Sequence, residues 1–448
     1  MEESVIRQRV GDLMSRARDD LAALVAIPSV ADPAQVPPER CLEAAEWVRA
    51  AIAEIGFDGA RLLDPPDGHP AVYGELAAPD GAPTVLLYSH YDVQPQLDEA
   101  DWESPPFKLT ERNGRWYGRG AADDKGNLVV HLTALRALAG EVPLGVKFIC
   151  EGAEEQGTGG MEHYVREHAE LLAADAVLVF DVGNFAIGVP TLTTRLRGIA
   201  NVEVRVRSLA GAVHSGSFGG PAPDALMALL RILASLQDEA GNAVVDGLGG
   251  AATWDGIEYP VEQFRSDAGI LGEAELIGDG PVADMLWARP AVSVLGIDCP
   301  PVVGSTPSVQ PTASALVSLR VPPGLDAAEA QQALAAHLEA AAPWGVALET
   351  EAAGLGEPFR ARSDGPAFTC MSDALGAAYG RDTQTQGEGG SIPLTNALAE
   401  SLPDAEIILA GVQEPTCLIH AHNESVDPSE IERIAVAEAL FLSRYAAL

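Results

Sequence analysis

Five segments of the 448-residue chain put imidazole and carboxylate groups where a divalent cation could be held. The run TVLLYS leads into His90, Tyr91 and Asp92, VKFICEGA leads into Glu154 and Glu155, and AVLVF leads into Asp181. EIILAG is followed, after a short loop, by His420 and His422, and the pair Asp123 and Asp124 opens a helix in GRGAADDKG. Period two puts His90 and Asp92 on the same side of their strand end, and a helix start favours anions. Each piece alone has a structural explanation: a histidine satisfied by polar neighbours, or an acidic pair in a solvated turn or cap. Together, two histidines and three or four carboxylates at strand ends and helix starts form the donor set of a carboxylate-bridged pair of divalent ions. Of the five cysteines only Cys150 falls in these segments, inside the apolar run VKFIC, and none has CxxC spacing, so thiolate ligation is not part of the pattern.

The elements that must position these groups follow from the rhythm of apolar runs. Over the first half, short runs (Thr84 to Tyr88, Gly145 to Cys150, Ala176 to Phe180) alternate with helical patterns (Lys125 to Leu138, Met161 to Leu172). Such alternation predicts βαβ units and a largely parallel sheet, whose carboxyl ends gather ligands. Near Arg197 the texture changes: NVEVRVR at Asn201 to Arg207 alternates with period two, as a half-exposed antiparallel strand does. A helix from Ala222 to Leu236, alternating strands at Ala313 to Val321 and Val346 to Glu351, and a helix from Ala327 to Ala341 complete a small α+β domain. From Pro358 the earlier rhythm resumes, with an apolar run at Glu406 to Ala410 and a final helix from Pro428. We therefore expect an α/β protein, a mainly parallel-sheet domain (residues 1–195 and 356–448) interrupted by an inserted α+β domain (196–355).

Composition excludes several classes. With 28 basic against 65 acidic residues the net charge is −37, so the chain lacks the positive footprint that nucleic acid and anionic membranes require. No stretch approaches the roughly 18 apolar residues of a spanning helix. The N-terminal 27 residues are charged throughout and predict an amphipathic helix from Val5 to Val25 rather than a signal peptide, so a cytoplasmic location is expected.

The segments HYDVQP (His90 to Pro95), WESPPF (Trp102 to Phe107) and YGRGAADDKG (Tyr117 to Gly126) closely resemble the M20 metallopeptidases, in particular their carnosine dipeptidase and cytosolic non-specific dipeptidase branch. The resemblance continues in order through EGAEEQGTGG, VHSGSFGG, SLRVPP, GEGGSIP and IHAHNE. It implies two divalent ions, zinc, manganese or cobalt, bridged by Asp123, with Glu155 and His420 on one and His90 and Asp181 on the other. Asp92 would orient His90, and the Asp123–Asp124 peptide would be cis. Glu154 would be the general base, and His214, from the other subunit of a homodimer, would donate to the oxyanion. Arg320, with Ser391 and the Gly389-Gly390 turn, would bind the substrate's carboxylate. The resemblance also implies that the mainly parallel-sheet domain is catalytic and that the inserted α+β one is a lid and dimerisation domain.

What the resemblance implies is hydrolysis of dipeptides or short peptides with a free C-terminal carboxylate. The alternatives are an N-acyl-amino-acid amidohydrolase or desuccinylase using the same metals, and a non-catalytic homologue that kept the fold. HYDVQP with WESPPF favours the dipeptidase branch over those reading HTDVVP, and Glu154 beside the ligand set speaks against a non-catalytic copy. SVQP at Ser308 to Pro311 departs from the TVIP usual in relatives, no histidine occurs between His337 and His420, and His422 stands where proline is common.

Overall fold

The computed structural model describes residues 1–248 and 252–448. The chain divides into two compact units, Met1–Thr194 with Ala361–Gln386 and Pro393–Leu448, and Arg195–Arg360 with Gly387–Ile392. The second boundary lies after Arg360, later than the sequence suggested. Strand Ala347–Gly356 keeps pairing with Gly198–Arg207 as far as Gly356, and Phe359 then pairs with Leu196. The short segment 387–392, expected in the catalytic part, also belongs to the second unit.

The sheet of the first unit has a parallel centre of four strands, in the order Gly145–Glu151, Thr84–His90, Ala176–Phe180 and Glu406–Ala410. These strands are almost wholly buried, which is why they read as continuous Val/Ile/Leu runs without alternation. Their carboxyl ends come out in register: His90 lies opposite Glu151, and Ala410 opposite Phe180. On one side the antiparallel strands Ala71–Leu76 and Asp58–Leu63 extend the sheet. The sequence reading missed both, and the outer one is bulged between Asp58 and Arg61, which breaks its alternation.

Helix Lys125–Leu138 packs against Glu3–Val25 and Pro428–Tyr445, and all but one of its residues are buried. The N-terminal helix presents Ile6, Val10, Ala17, Leu21, Leu24 and Val25 to this core, positions that recur at helical spacing. Pro428 begins the last helix, and the Asp427 side chain caps it by accepting from the Ser429 N–H at 2.8 Å. The helix expected from Met161 to Leu172 is two pieces, Gly160–Glu167 and Ala169–Leu172. No large apolar residue stands between Val165 and Leu171 to hold one continuous face.

The second unit carries an antiparallel sheet ordered Ala291–Asp298, Thr312–Val321, Gly198–Arg207, Ala347–Gly356. Helices Ala225–Ala234 and Ala327–Ala340 bury Leu229, Ile232, Leu334 and Leu338 in the same core as Val202, Val204 and Val317. The first of these helices begins later than the sequence suggested, because Asp224 caps it by accepting from the Met227 N–H at 3.0 Å. Leu230 of the same helix is exposed.

Candidate active site

All the metal-type residues singled out in the sequence sit in the first unit, beyond the carboxyl ends of its parallel strands. His90 ends one strand, Glu154 and Glu155 follow the next, Asp181 follows the third, and the loop after Ala410 returns His420. His90 Nε2 lies 3.2 Å from Asp123 Oδ1 and 3.4 Å from Asp181 Oδ1. His420 Nε2 lies 2.9 Å from Asp123 Oδ2 and 3.2 Å from Glu155 Oε2. Two donor groups result, His90, Asp123, Asp124 and Asp181, and Asp123, Glu155 and His420, each with its atoms within 4.8 Å of one another. Asp123 is common to both, with one oxygen toward each. The Asp123–Asp124 peptide is cis. His420 has φ 61°, in the left-handed region that non-glycine residues seldom occupy.

A second layer holds these side chains in place. His90 Nδ1 faces two acceptors, the Asp92 carbonyl at 3.1 Å and Asp92 Oδ1 at 3.3 Å. A neutral His90 therefore keeps its proton on Nδ1, which leaves Nε2 as the atom that would face an ion. Asp92 also accepts from the N–H groups of Glu154 and Glu155 at 3.2 and 3.1 Å. Glu155 is steadied by Gln94, whose side-chain amide donates at 2.8 Å. Asp124 takes the His90 N–H at 2.9 Å and the Asn127 amide at 2.6 Å, so its carboxylate braces the strand end although it lies within reach of the first donor group.

Reasoning from the sequence gave Glu424 no role, although it closes the IHAHNE motif. Ser425 pairs with Tyr117 in a short antiparallel ladder, which sets Glu424 under the turn that carries Asp123. Its Oε2 accepts from Arg119 Nη1 at 2.6 Å and the Gly120 N–H at 3.0 Å, and its Oε1 from the N–H groups of Ala122 and Asp123 at 3.0 and 3.1 Å. Burial raises its pKa, and Arg119 with the backbone donors opposes that rise without cancelling it. His422 stands apart from the cluster, 3.8 Å from Asp101 and edge-on to Trp102.

The electrostatics call for a cation. No Arg or Lys among the described residues pairs with Asp123, Asp181, Glu154 or Glu155; their only ionic partners are His90 and His420. Burial and the neighbouring Asp123 push the Glu155 carboxyl up to about 7. Burial, then Asp181, lifts Glu154 well above the usual carboxylate range, and burial also raises Asp181. Hydrogen bonds to Asp123 and Glu155 push the His420 imidazole up to about 10. Burial pulls His90 down, but Asp181, Asp123 and Asp92 outweigh it and its pKa rises well above normal. Protons thus occupy positions that a divalent ion would fill, and the all-imidazole and carboxylate donor set fits zinc, manganese or cobalt. Unlike Glu155, the Glu154 carboxylate takes no hydrogen bond from the described residues.

The remaining residues singled out by sequence lie in the second unit. His214 is exposed, and its Nδ1 accepts the Gly216 N–H at 3.1 Å, which leaves the ring proton on Nε2 as a free donor. Arg320 sits on Thr312–Val321, and Ser391 and Gly390 on segment 387–392.

The model of the family described as "Peptidase family M20/M25/M40" matches residues 86–444. A cysteinylglycine-S-conjugate dipeptidase of Corynebacterium striatum is 46% identical over 90% of this chain and 90% of its own. Among solved structures, the dipeptidase Dug1p of Saccharomyces cerevisiae superposes with TM-score 0.84 at 24% identity, covering 100% of this chain and 99% of the other. An M20 family metallo-carboxypeptidase of Sulfolobus solfataricus gives 0.82 at 26% identity, covering 96% and 98%. With the family model spanning most of the chain, and with a relative this similar along nearly its whole length, the protein belongs to peptidase family M20/M25/M40 and is a metallopeptidase.

Proposed function

We propose that the protein is a two-metal dipeptidase that cleaves dipeptides or short peptides bearing a free C-terminal carboxylate, with cysteinylglycine and its S-conjugates the first substrates to test. The observation that carries this reading is the pair of donor groups sharing Asp123, with the unpaired Glu154 carboxylate beside them. His90, Asp123 and Asp181 would hold one ion, and Asp123, Glu155 and His420 the other. Ions held there supply the Lewis acidity that makes water a nucleophile near neutral pH and polarises the scissile carbonyl.

Glu154 takes the proton from the attacking water and passes it to the leaving amine. Its carboxylate, which takes no hydrogen bond from the described residues, is left available for both duties. Asp92 keeps His90 in the tautomer that presents Nε2. His214 of a partner subunit donates its free Nε2–H to the developing oxyanion. Arg320, Ser391 and Gly390 receive the substrate's carboxylate. A homodimer through the second unit is supported by the edge strand Ala291–Asp298, which exposes Val294, Leu295 and Ile297. All five cysteines are free thiols, four of them buried, which suits the reducing cytoplasm.

The test is a substrate panel of cysteinylglycine, an S-conjugate, β-alanyl-histidine and N-acyl amino acids, run after chelation and add-back of zinc, manganese or cobalt. Metal-dependent cleavage of the dipeptides is the expected result. Turnover confined to N-acyl amino acids would replace this reading with an amidohydrolase.

A further inference from the structure

Arg197 is 7% exposed, and its Nε and Nη1 are buried without a hydrogen-bond partner among the described residues. A desolvated guanidinium with orphaned donors is a costly feature, and native structures seldom keep one without use. Arg119, 1% exposed, also leaves its Nε without a partner among the described residues, but its guanidinium charge meets Glu424 at 2.6 Å and the carbonyls of Pro95 and Ala421. Among the described residues no carboxylate lies within ion-pair distance of Arg197. The acidic group whose charge it feels is Glu388, whose Oε1 is occupied by the Gly389 N–H at 2.7 Å.

The surroundings of Arg197 supply further donors. Arg320 lies opposite Ile199 in the antiparallel ladder. Arg197 stands immediately before the strand Gly198–Arg207 that carries Ile199, close enough for its guanidinium to feel the charge of Arg320. Among the described residues neither guanidinium has an ion pair, and the Ser391 hydroxyl is buried without a partner. Segment 387–392 lies along Arg197: the Arg197 N–H donates to the Glu388 carbonyl at 3.1 Å, and a Cβ on Gly389 would stand 2.9 Å from Nη2. Glu388 lends negative charge to both arginines, but among the described residues no carboxylate bonds either guanidinium.

We infer that Arg197 is a second guanidinium of the carboxylate site, gripping the substrate's terminal carboxylate together with Arg320 and the Ser391 hydroxyl, and so is a specificity-determining residue. The inference rests on the reading of the chain as a hydrolase of peptides with a free C-terminus. Burial and the neighbouring Arg320 push the Arg197 pKa down to about 10, which leaves it charged at neutral pH. Two guanidiniums and a hydroxyl match the lone pairs of one carboxylate. A neutral C-terminal amide brings no charge to offset either arginine.

The experiment compares cysteinylglycine with cysteinylglycine amide on metal-loaded wild type, Arg197→Met and Arg197→Lys, with metal content and Tm measured for each. In Arg197→Met, KM for cysteinylglycine rises roughly 10- to 100-fold, the loss of charge-assisted hydrogen bonds. Its kcat/KM on the amide stays within about twofold of wild type, inhibition by glycine weakens in parallel, and Tm does not fall, because an unpaired buried charge has been removed. Arg197→Lys recovers part of the KM. Equal losses on acid and amide, or an unchanged KM for the acid, would overturn the role of Arg197 while leaving the dipeptidase reading intact. A wild type that does not distinguish acid from amide would overturn the free-carboxylate requirement itself, and Arg197's role with it. If Arg197→Met fails to fold, the acid-to-amide ratio of Arg197→Lys decides: a reduced ratio supports the role, and an unchanged one refutes it.

Discussion

Replacing Glu424 is predicted to damage stability and metal binding together, although it belongs to neither donor group. Its two oxygens satisfy four donors, Arg119 Nη1 and the N–H groups of Gly120, Ala122 and Asp123, at 2.6–3.1 Å. Both Arg119 and Glu424 are 1% exposed or less. In Glu424→Ala the guanidinium is left charged and buried, which costs about 3–5 kcal/mol. The three orphaned backbone donors add about 1 kcal/mol or more each wherever water does not reach them. A loss of at least about 4 kcal/mol is expected. Glu424→Gln keeps the shape and one acceptor oxygen but turns an NH2 group toward two donors, so it should lose roughly half as much. Because the same donors fix the turn bearing Asp123, metal affinity should fall about 10- to 100-fold, as it does when a ligand's support is removed. Urea unfolding of the chelated protein and metal competition titration read the two effects. A Glu424→Ala protein within about 1 kcal/mol of wild type, with unchanged metal affinity, would refute the reasoning.

Further outcomes follow from the same geometry. Glu154→Gln should bind metal normally while kcat drops about 10²- to 10⁴-fold, and near-normal turnover in a clean preparation would remove Glu154 from the mechanism. Asp123→Ala should lose both ions, because one oxygen faces each donor group; elemental analysis showing one retained ion would contradict the bridge. In chelated protein the Glu155 carboxyl is raised to about 7 from 4.5, so the stability it contributes is fully present below about 4.5 and is lost as pH rises through 7. Metal must displace that proton, so affinity should tighten from pH 6 to 8 with proton release, measurable by calorimetry in buffers of different ionisation enthalpy; pH-independent binding would count against it. Mixed dimers of His214→Ala and Glu154→Gln subunits should recover activity, since one composite site keeps both groups; verified heterodimers with none would argue against sharing. A charge at Ile297 on the exposed edge strand should give monomers by light scattering, and an unshifted mass would place any dimer contact elsewhere.

Much of this architecture was legible because parallel strands buried on both faces announce themselves as apolar runs, and whatever follows such a run stands at the ligand-binding edge. His90, Glu155 and Asp181 converge for that reason. Glu424 was not legible: it acts on a turn some 300 residues earlier, and nothing in HNE says which backbone it caps. Arg197 was equally silent, since a sequence shows a charge but not the absence of its partner. The strands Asp58–Leu63 and Ala291–Asp298 escaped notice because both are bulged, which interrupts the alternation that identifies a half-buried strand. The break at His168 falls where no Gly or Pro interrupts the chain but where residues 166–170 carry no large apolar side chain to hold one continuous face.

One titration bears most directly on the two-metal dipeptidase. Chelated protein receives zinc, manganese or cobalt in fractions of an equivalent while cysteinylglycine hydrolysis is followed. Activity should be absent at the start, rise with added metal and level off at two equivalents per chain with the productive ion. Full activity without metal, a plateau at one equivalent, or two bound equivalents with no dipeptide cleaved would contradict it.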